Sequence, residues 1–386
     1  MISIIKSLFD YNNKKYSDLD LDLNLELTSE SKLESKLENK LQHFKNVLQL
    51  VPQKEIKICN QNYDSTNEVI LTVINFCERN QTKSKKIVVS LSGGVDSMVL
   101  ISILKFIGYE PVACHINYNN REETSMEQDF LEYWCNTNSI KLYIKTIVNL
   151  KRKNSKRSDY EYESKKIRFD FYKEVMKNEG LDCILLAHHK DDIIENIFAN
   201  VCRGRYILDL AVIKEQSTIN DVSIMRPLIE LYKSSIYEFA SSYEVPYFKD
   251  TTPEWSVRGK FRNKIYPLLE DTFSYNIKSN LLGLSKQSYE WNELVMEQIV
   301  KPFLELIVYE ETKCVFNVEK YNAHPLCFWN IVFMKVFYYY NKNCPSRKSI
   351  QVFMNSIKTK NVCTITLSDK CLCKNKNNII TIEFNA

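Results

Sequence analysis

KKIVVSLSGGVDSMVLISILKFIGY, residues 85–109, changes character at its centre. A short apolar run, IVVSL (87–91), stops at a serine, two glycines and an aspartate. A second apolar run follows at helical spacing. The chain holds only seven glycines in 386 residues, and two of them stand side by side here. A strand that ends in serine and glycine and turns into a helix aims backbone N–H groups outward at the helix N-terminus, where an anion is favoured. Glycine lets such a backbone come close to a phosphate, and Ser92 and Ser97 add hydroxyl donors. Asp96 repels phosphate by itself; it suits the loop if it holds Mg²⁺ or orients the turn. The spacing is neither GxxxxGK[ST] nor GxGxxG. The plain alternative is a tight strand–helix turn with no ligand.

Outward from this loop the same alternation repeats. A helix is expected at 66–80, then the strand at 87–91 and a helix at 98–106 closed by Gly108. Strands follow at 111–116 (PVACHI), 141–147 (KLYIKTI) and 183–187 (CILLA). Helices follow at 124–138, with Phe130 and Trp134 on one face, at 160–177, closed by Gly180, and at 191–202. Short apolar strands alternating with amphipathic helices predict an α/β fold with a Rossmann-like parallel sheet covered on both faces. Ligands in such sheets bind beyond the carboxyl ends of the strands. Three polar clusters fall there: SGGVDS (92–97), HINYNNR (115–121) and AHHKDD (187–192).

Asp191, Asp192 and Glu195 would then sit at the start of one helix, where carboxylates are favoured. Asp192 and Glu195, three apart, share a face. His188 or His189 is the natural proton acceptor beside them. The plainer readings are an N-cap for Asp191, a structural role for one histidine, and a solvent-facing Glu195.

The chain is expected to divide into an N-terminal extension (1–65, partly of low complexity), an α/β domain that carries the SGGVDS loop (66–225), a helical and basic segment (226–285) and a small α+β C-terminal domain (286–386). Leu33, Leu37 and Leu41 form one helical stripe in the extension. The C-terminal part carries an aromatic helix, FWNIVFMKVFYYY, read mainly as core, and strands TITL and IITIEF with an NKNN turn between them.

The chain is 44% hydrophobic, and no apolar run is long enough to span a bilayer. Its twelve cysteines include no CxxC pair, and the start lacks a signal-peptide layout. Reduced thiols and a cytoplasmic location are expected, and an amphipathic organellar presequence is compatible with the same start. The net charge of +4 hides a basic block, KRKNSKR (151–157), read as a solvated loop or a phosphate-backbone contact.

SGGVDS resembles the PP-loop of the ATP-pyrophosphatase superfamily, whose fold is adenine nucleotide alpha hydrolase-like. Such enzymes cleave ATP between the α and β phosphates and adenylate a carbonyl-type oxygen. Glutaminase-coupled members are not expected, because no cysteine follows Met1. The later motifs resemble those of tRNA(Ile)-lysidine synthetases. His115, Asn117 and Arg121 stand as in HVNHGLR. Glu161, Ser164, Arg168 and Phe169 match ExxARxxRY. AHHKDDIIEN (187–196) resembles AHHxDDxxET, and Arg203 and Gly204 follow as in LLRG. MRPLIEL (225–231) matches the LRPLL strand, and Asp250 with Arg262, Asn263 and Lys264 matches D…RNRI.

The resemblance covers about residues 85–270. It departs at Tyr118–Asn119, at Asn196, at DTTP after Asp250, and in the stretch after Gly204. It implies an ATP-dependent ligase that adenylates the C2 oxygen of the wobble cytidine of tRNA(Ile) and joins L-lysine to it. ATP would contact Ser92, Gly93, Gly94, Val95, Asp96, Ser97, His115 and Asn117, with Mg²⁺ at Asp96. Asp96, His188, His189, Asp191, Asp192, Glu195 and Arg203 would be catalytic. Arg121, Arg168, Arg262, Asn263 and Lys264 would meet the tRNA. Homodimerisation is left open. The alternatives are a tRNA 2-thiolation enzyme of the same superfamily, with Cys114 and Cys202 near the expected site, or a non-catalytic tRNA- or nucleotide-binding protein.

Overall fold

The computed structural model describes residues 48–49, 63–80, 84–119, 123–148, 157–248, 257–274, 276–358, 362–368 and 371–384. The extension at 1–45, Arg121, residues 151–156 of the basic block, and Asp250 with the DTTP stretch lie outside the described residues. The chain divides into two compact units, Met1–Asn196 with Ile213–Leu282, and Ile197–Val212 with Gly283–Ala386.

The first unit is built on a six-stranded sheet. Its strands are β2 (Lys86–Ser90), β3 (Glu110–Asn117), β4 (Lys141–Thr146), β5 (Cys183–Leu185), β6 (Gln216–Ile219) and β7 (Val222–Met225), in the order β4-β3-β2-β5-β7-β6. All neighbours are parallel except the β6–β7 hairpin at one edge. That hairpin is absent from the sequence reading, where its polar residues carry no clear alternation. A short pair, β1 (Leu48–Gln49) with β8 (Tyr247–Phe248), lies apart from the main sheet.

The helices are α1 (Glu68–Arg79), α2 (Val95–Phe106), α3 (Glu123–Thr137), α4 (Arg157–Glu179), α5 (Lys190–Cys202) and α6 (Lys233–Ser242). β2 shows why both faces are covered. Ile87 and Val89 pack with Val73, Met98, Trp134 and Phe239 of the helices on one side. Val88, between them, points to the other face and packs with Phe169, Tyr172 and Val175 of α4. α2 is apolar all round and buried from Met98 to Leu104, as a helix between sheet and neighbouring helices must be.

The segment matched to the LRPLL strand differs from expectation. β7 ends at Met225, and residues 226–231 form turns closed by Ile229 N–H to Arg226 C=O and Leu231 N–H to Leu228 C=O. Pro227 has no N–H to give a ladder. α7 (Val257–Lys260), a π-helical stretch (Phe261–Ile265) and α8 (Tyr266–Phe273) follow.

The second unit holds an antiparallel sheet of β9 (Val308–Tyr309), β10 (Lys313–Asn317), β11 (Cys363–Ser368), β12 (Cys371–Lys376) and β13 (Ile379–Phe384), ordered β11-β12-β13-β10-β9. The NKNN turn closes the β12–β13 hairpin, with Asn377 and Asn378 at φ 51° and 64°. CLCKNK, which the sequence reading leaves unassigned, is a strand. Cys371 and Cys373 bury on one face of it. Of the aromatic helix (Leu326–Tyr339), Trp329, Phe333 and Phe337 are core, whereas Tyr338 is 82% exposed. Among the described residues no helix is long and apolar enough to cross a membrane.

Candidate active site

The strand order places the switch point between β2 and β5, because the chain fills β3 and β4 on one side of β2 before returning to β5 on the other. A crevice opens there by topology. The loop after β2 and the loop after β5 are SGGVDS and AHHKDD. Between them lies a cleft of about 510 Å³ lined by Ser92, Gly94, Asp96, Ser97, His188, His189, Asp192, Arg168, Arg226, Lys233, Arg258 and Arg262, among others.

The two glycines do different things. Gly93 has φ +84°, and a Cβ built on it would lie 2.2 Å from Cε2 of Phe248. Phe248 also donates its N–H to the Gly93 carbonyl at 2.9 Å. Gly93 is therefore glycine for backbone sterics and for the close approach of β8. Gly94 is the N-cap of α2, at φ −71°, and a Cβ there would meet only Ser92 Oγ at 3.5 Å. Ser92 and Ser97 join their hydroxyls at 3.1 Å, and Ser97 Oγ donates to the Gly94 carbonyl at 3.0 Å. These bonds hold the turn open toward the cleft.

His115 and Asn117 do not line this cleft. His115 is buried, its Nδ1 2.9 Å from the Leu91 carbonyl. Burial pushes its proton affinity down. Asn117 Nδ2 donates to Gln128 at 2.8 Å, and its Oδ1 accepts the Asn119 N–H at 2.8 Å.

The carboxylates gather around His189, which is 1% exposed. Its Nε2 lies 3.6 Å from Asp96 Oδ1 and 3.4 Å from Asp192 Oδ2, and its Nδ1 lies 3.6 Å from Asp191 Oδ2. Asp191 is the second residue of α5 and not its N-cap. It accepts the Lys233 N–H at 2.8 Å, an orphan donor at the start of α6, and the Lys278 ammonium at 2.7 Å. Burial alone would raise its pKa; the nearby His189 ring, the Lys233 N–H and Lys278 outweigh it and hold the carboxyl well below its usual range. Asp192 is buried, which also works against its charge, but His189, His188 and Arg258 together keep its pKa low.

Glu195 is buried too, which overturns the solvent-facing reading. It pairs with Arg262 Nε and, at 3.4 Å, with Arg258 Nε. Burial still wins, and its pKa is raised. Arg262 therefore faces this buried pair. Asn263 and Lys264 beside it are exposed.

His188 is a different histidine from His189. Burial pushes its pKa down to about 4, against the pull of Asp192 and aided by the Arg226 cation. Arg226 Nε donates to His188 Nδ1 at 3.1 Å. With Nδ1 accepting, the remaining ring proton sits on Nε2, so the neutral His188 offers a donor there. Arg203 is exposed just past α5 and falls in the second unit.

Four site residues escape the sequence reading as site residues. Lys233 Nζ meets Asp96 Oδ2 at 2.5 Å. Lys278 meets Asp191, Arg258 meets Glu195 and Asp192, and Arg226 meets His188. The first three are single cations in ordinary helices, with no spacing to mark them. Arg226 stands inside a matched motif, and only its burial marks it as a site residue.

Residues 65–269 match the family model for the PP-loop domain. The tRNA(Ile)-lysidine synthase of Chlamydia felis is 30% identical over 61% of this chain and 74% of its own length. That of Enterococcus faecalis is 30% identical over 59% of this chain and 49% of its own. The solved U34-tRNA thiolase NcsA of Methanococcus maripaludis is a looser likeness, with TM-score 0.46 at 19% identity over 60% of this chain and 80% of that one. The chain belongs to the PP-loop ATP-binding family and, within it, to the tRNA(Ile)-lysidine synthases.

Proposed function

We propose that this protein is an ATP-dependent tRNA-modifying ligase that converts the wobble cytidine of tRNA(Ile) to lysidine. The observation that carries this reading is the meeting of SGGVDS and AHHKDD at one switch-point cleft, in a chain of this family. In the first half-reaction the C2 oxygen of the base bonds to the α-phosphorus of ATP, and pyrophosphate leaves. In the second, the ε-amine of lysine bonds to C2 and AMP leaves with the oxygen.

The residues divide the work. The N–H groups at the start of α2, with Ser92 and Ser97, receive phosphate oxygens. Asp96 Oδ1 is buried with no hydrogen-bond partner, a hard oxygen fit for Mg²⁺. Mg²⁺ bound there would neutralise charge on the pyrophosphate. His188 donates from Nε2 into the cleft. Asp192 and Glu195 hold the incoming ammonium, with the half-exposed Arg258 side chain giving way. His189, set among three carboxylates, takes the amine's proton. Arg168 lines the same cleft and faces the tRNA, as Asn263 and Lys264 do from the surface.

An amine nucleophile suits these residues better than sulfur. Among the described residues no cysteine lines the cleft. Cys114 is buried, and burial pushes its thiol up to about 12, the opposite of a reactive thiolate. The test is the mass of the modified nucleoside after reaction with ATP, lysine and tRNA. A gain of one lysine less water is expected. Exchange of oxygen for sulfur, or no pyrophosphate release from any tRNA pool, would overturn the reading.

A further inference from the structure

Lys233 is in an unusual place for a cation. It is the first residue of α6, where the helix carries partial positive charge and Asp or Glu is preferred. No acidic residue occupies that first turn. The side chain is nevertheless drawn into the cleft, 22% exposed, with Nζ 2.5 Å from Asp96 Oδ2 and 5.3 Å from the centre of the Tyr237 ring. Asp191 holds the backbone of the same residue. The start of α6 is thus fixed to the start of α5, and Lys233 is delivered against the first turn of α2, between the phosphate-accepting loop and His189.

Resting on the ATP reading above, we propose that Lys233 is a substrate-contacting catalytic residue, whose ammonium leaves Asp96 and binds the α-phosphate of ATP when the nucleotide enters. Asp96 is then released to the metal. The exchange is electrostatically consistent. Without nucleotide the two opposite charges satisfy each other; with Mg²⁺ and phosphate present, each finds a stronger partner of opposite sign. In the adenylation step the Pα–O–Pβ bond breaks as the base oxygen bonds to Pα. Charge gathers on the oxygens of Pα, and an ammonium fixed there stabilises it. After pyrophosphate leaves, the same contact holds the adenylate for the amine.

The test is binding of ATP, AMP and adenosine to full-length Lys233→Met by calorimetry, with pyrophosphate release measured in parallel. The side chain can be replaced without touching the backbone N–H that Asp191 holds, so the variant is expected to fold, with a lowered unfolding temperature from the loss of the Asp96 pair. ATP and AMP should each weaken about 10- to 100-fold, from the loss of one hydrogen bond between charged groups, while adenosine binds as before. Pyrophosphate release should fall about 100-fold or more at saturating ATP. If Lys233→Met does not fold, Lys233→Gln and Lys233→Arg are read in the same assay: the glutamine variant should lose the phosphate-dependent affinity and the arginine variant should keep most of it. A neutral variant with unchanged AMP affinity and unchanged pyrophosphate release would overturn this inference alone. Loss of ATP affinity with AMP affinity intact would overturn the assignment to the α-phosphate. Wild-type protein that binds neither ATP nor AMP would overturn the ATP reading itself, and this inference with it.

Discussion

Arg226 donates its Nε–H to Nδ1 of His188 across 3.1 Å, and that single bond decides which nitrogen of the ring faces the cleft with a proton. Arg226 is itself buried and anchored by the Lys214 carbonyl at 2.6 Å and Ser217 Oγ at 2.9 Å. The β6–β7 hairpin therefore sets the state of a histidine that stands beyond β5. The consequence for pH runs in one direction. The folded pKa of His188, about 4, lies below its ordinary value of 6.5, so the unfolded chain takes the proton first as pH falls. The contribution of His188 is fully present above pH 6.5 and is lost as pH falls from 6.5 to 4, about 3 kcal/mol in all. His188→Gln should flatten that part of the curve. Urea unfolding at a series of pH values checks it, and parallel curves for the two proteins would count against a neutral His188.

Asp191 ties the starts of two helices together, and its loss should show in stability before chemistry. Asp191→Ala removes an acceptor for the Lys233 N–H and the partner of Lys278. A cost of about 2–3 kcal/mol at pH 7 is expected. Asp191→Asn keeps an acceptor for the N–H and should cost less. Because the folded pKa is lowered, this contribution is present above the usual aspartate range and disappears as pH falls through the lower folded value. Denaturant midpoints of both variants at pH 7 and pH 3 measure it; equal losses at the two pH values would argue against the ion pair.

These interactions also show where the sequence is readable and where it is not. The β2 strand, the loop after it and the AHHKDD turn are legible because apolar runs broken by glycine, serine and aspartate are local signals. The strand order then brings the two loops together without further information. Lys233, Lys278 and Arg258 are illegible for the opposite reason. A lone lysine on a helix looks the same whether it meets water or Asp96, and only the fold decides. β12 is illegible because CLCKNK ends in polar residues that hide the inward Cys371 and Cys373. The match of MRPLIEL to the LRPLL strand carries a strand expectation, yet proline and the inward pull on Arg226 make it a turn.

Gly93 and Gly94, adjacent in sequence, should respond to alanine in different ways. Gly93→Ala forces a Cβ into the buried Phe248 ring at a positive φ, so a loss of about 2–4 kcal/mol is expected. Adding Phe248→Ala relieves the clash but not the backbone strain, and should not restore the wild-type midpoint. Gly94→Ala has room and an ordinary φ, and should cost under about 1 kcal/mol. Its effect should fall on nucleotide affinity, because on the proposed function the methyl group would stand between backbone and phosphate. Thermal unfolding and ATP binding of the two single variants separate these effects; a stable Gly93→Ala would contradict the packing against β8.

Arg262 and Lys264 lie two residues apart and should fail in different assays. Lys264 is exposed, and on the proposed function it meets RNA. Lys264→Ala should weaken tRNA binding, lower the slope of affinity against salt by about 1, and leave ATP affinity unchanged. Arg262→Ala instead leaves the buried Glu195 with Arg258 as its remaining cation and should destabilise the fold by about 2 kcal/mol at neutral pH. Glu195 already has a raised pKa, so this loss should shrink as pH falls and the carboxyl takes a proton, and should grow as pH rises. Filter binding across a salt series, with denaturant unfolding at pH 5 and pH 8, reads both variants. Arg262→Ala with wild-type stability at pH 8 and reduced tRNA affinity would move Arg262 from the carboxylate cluster to the RNA surface.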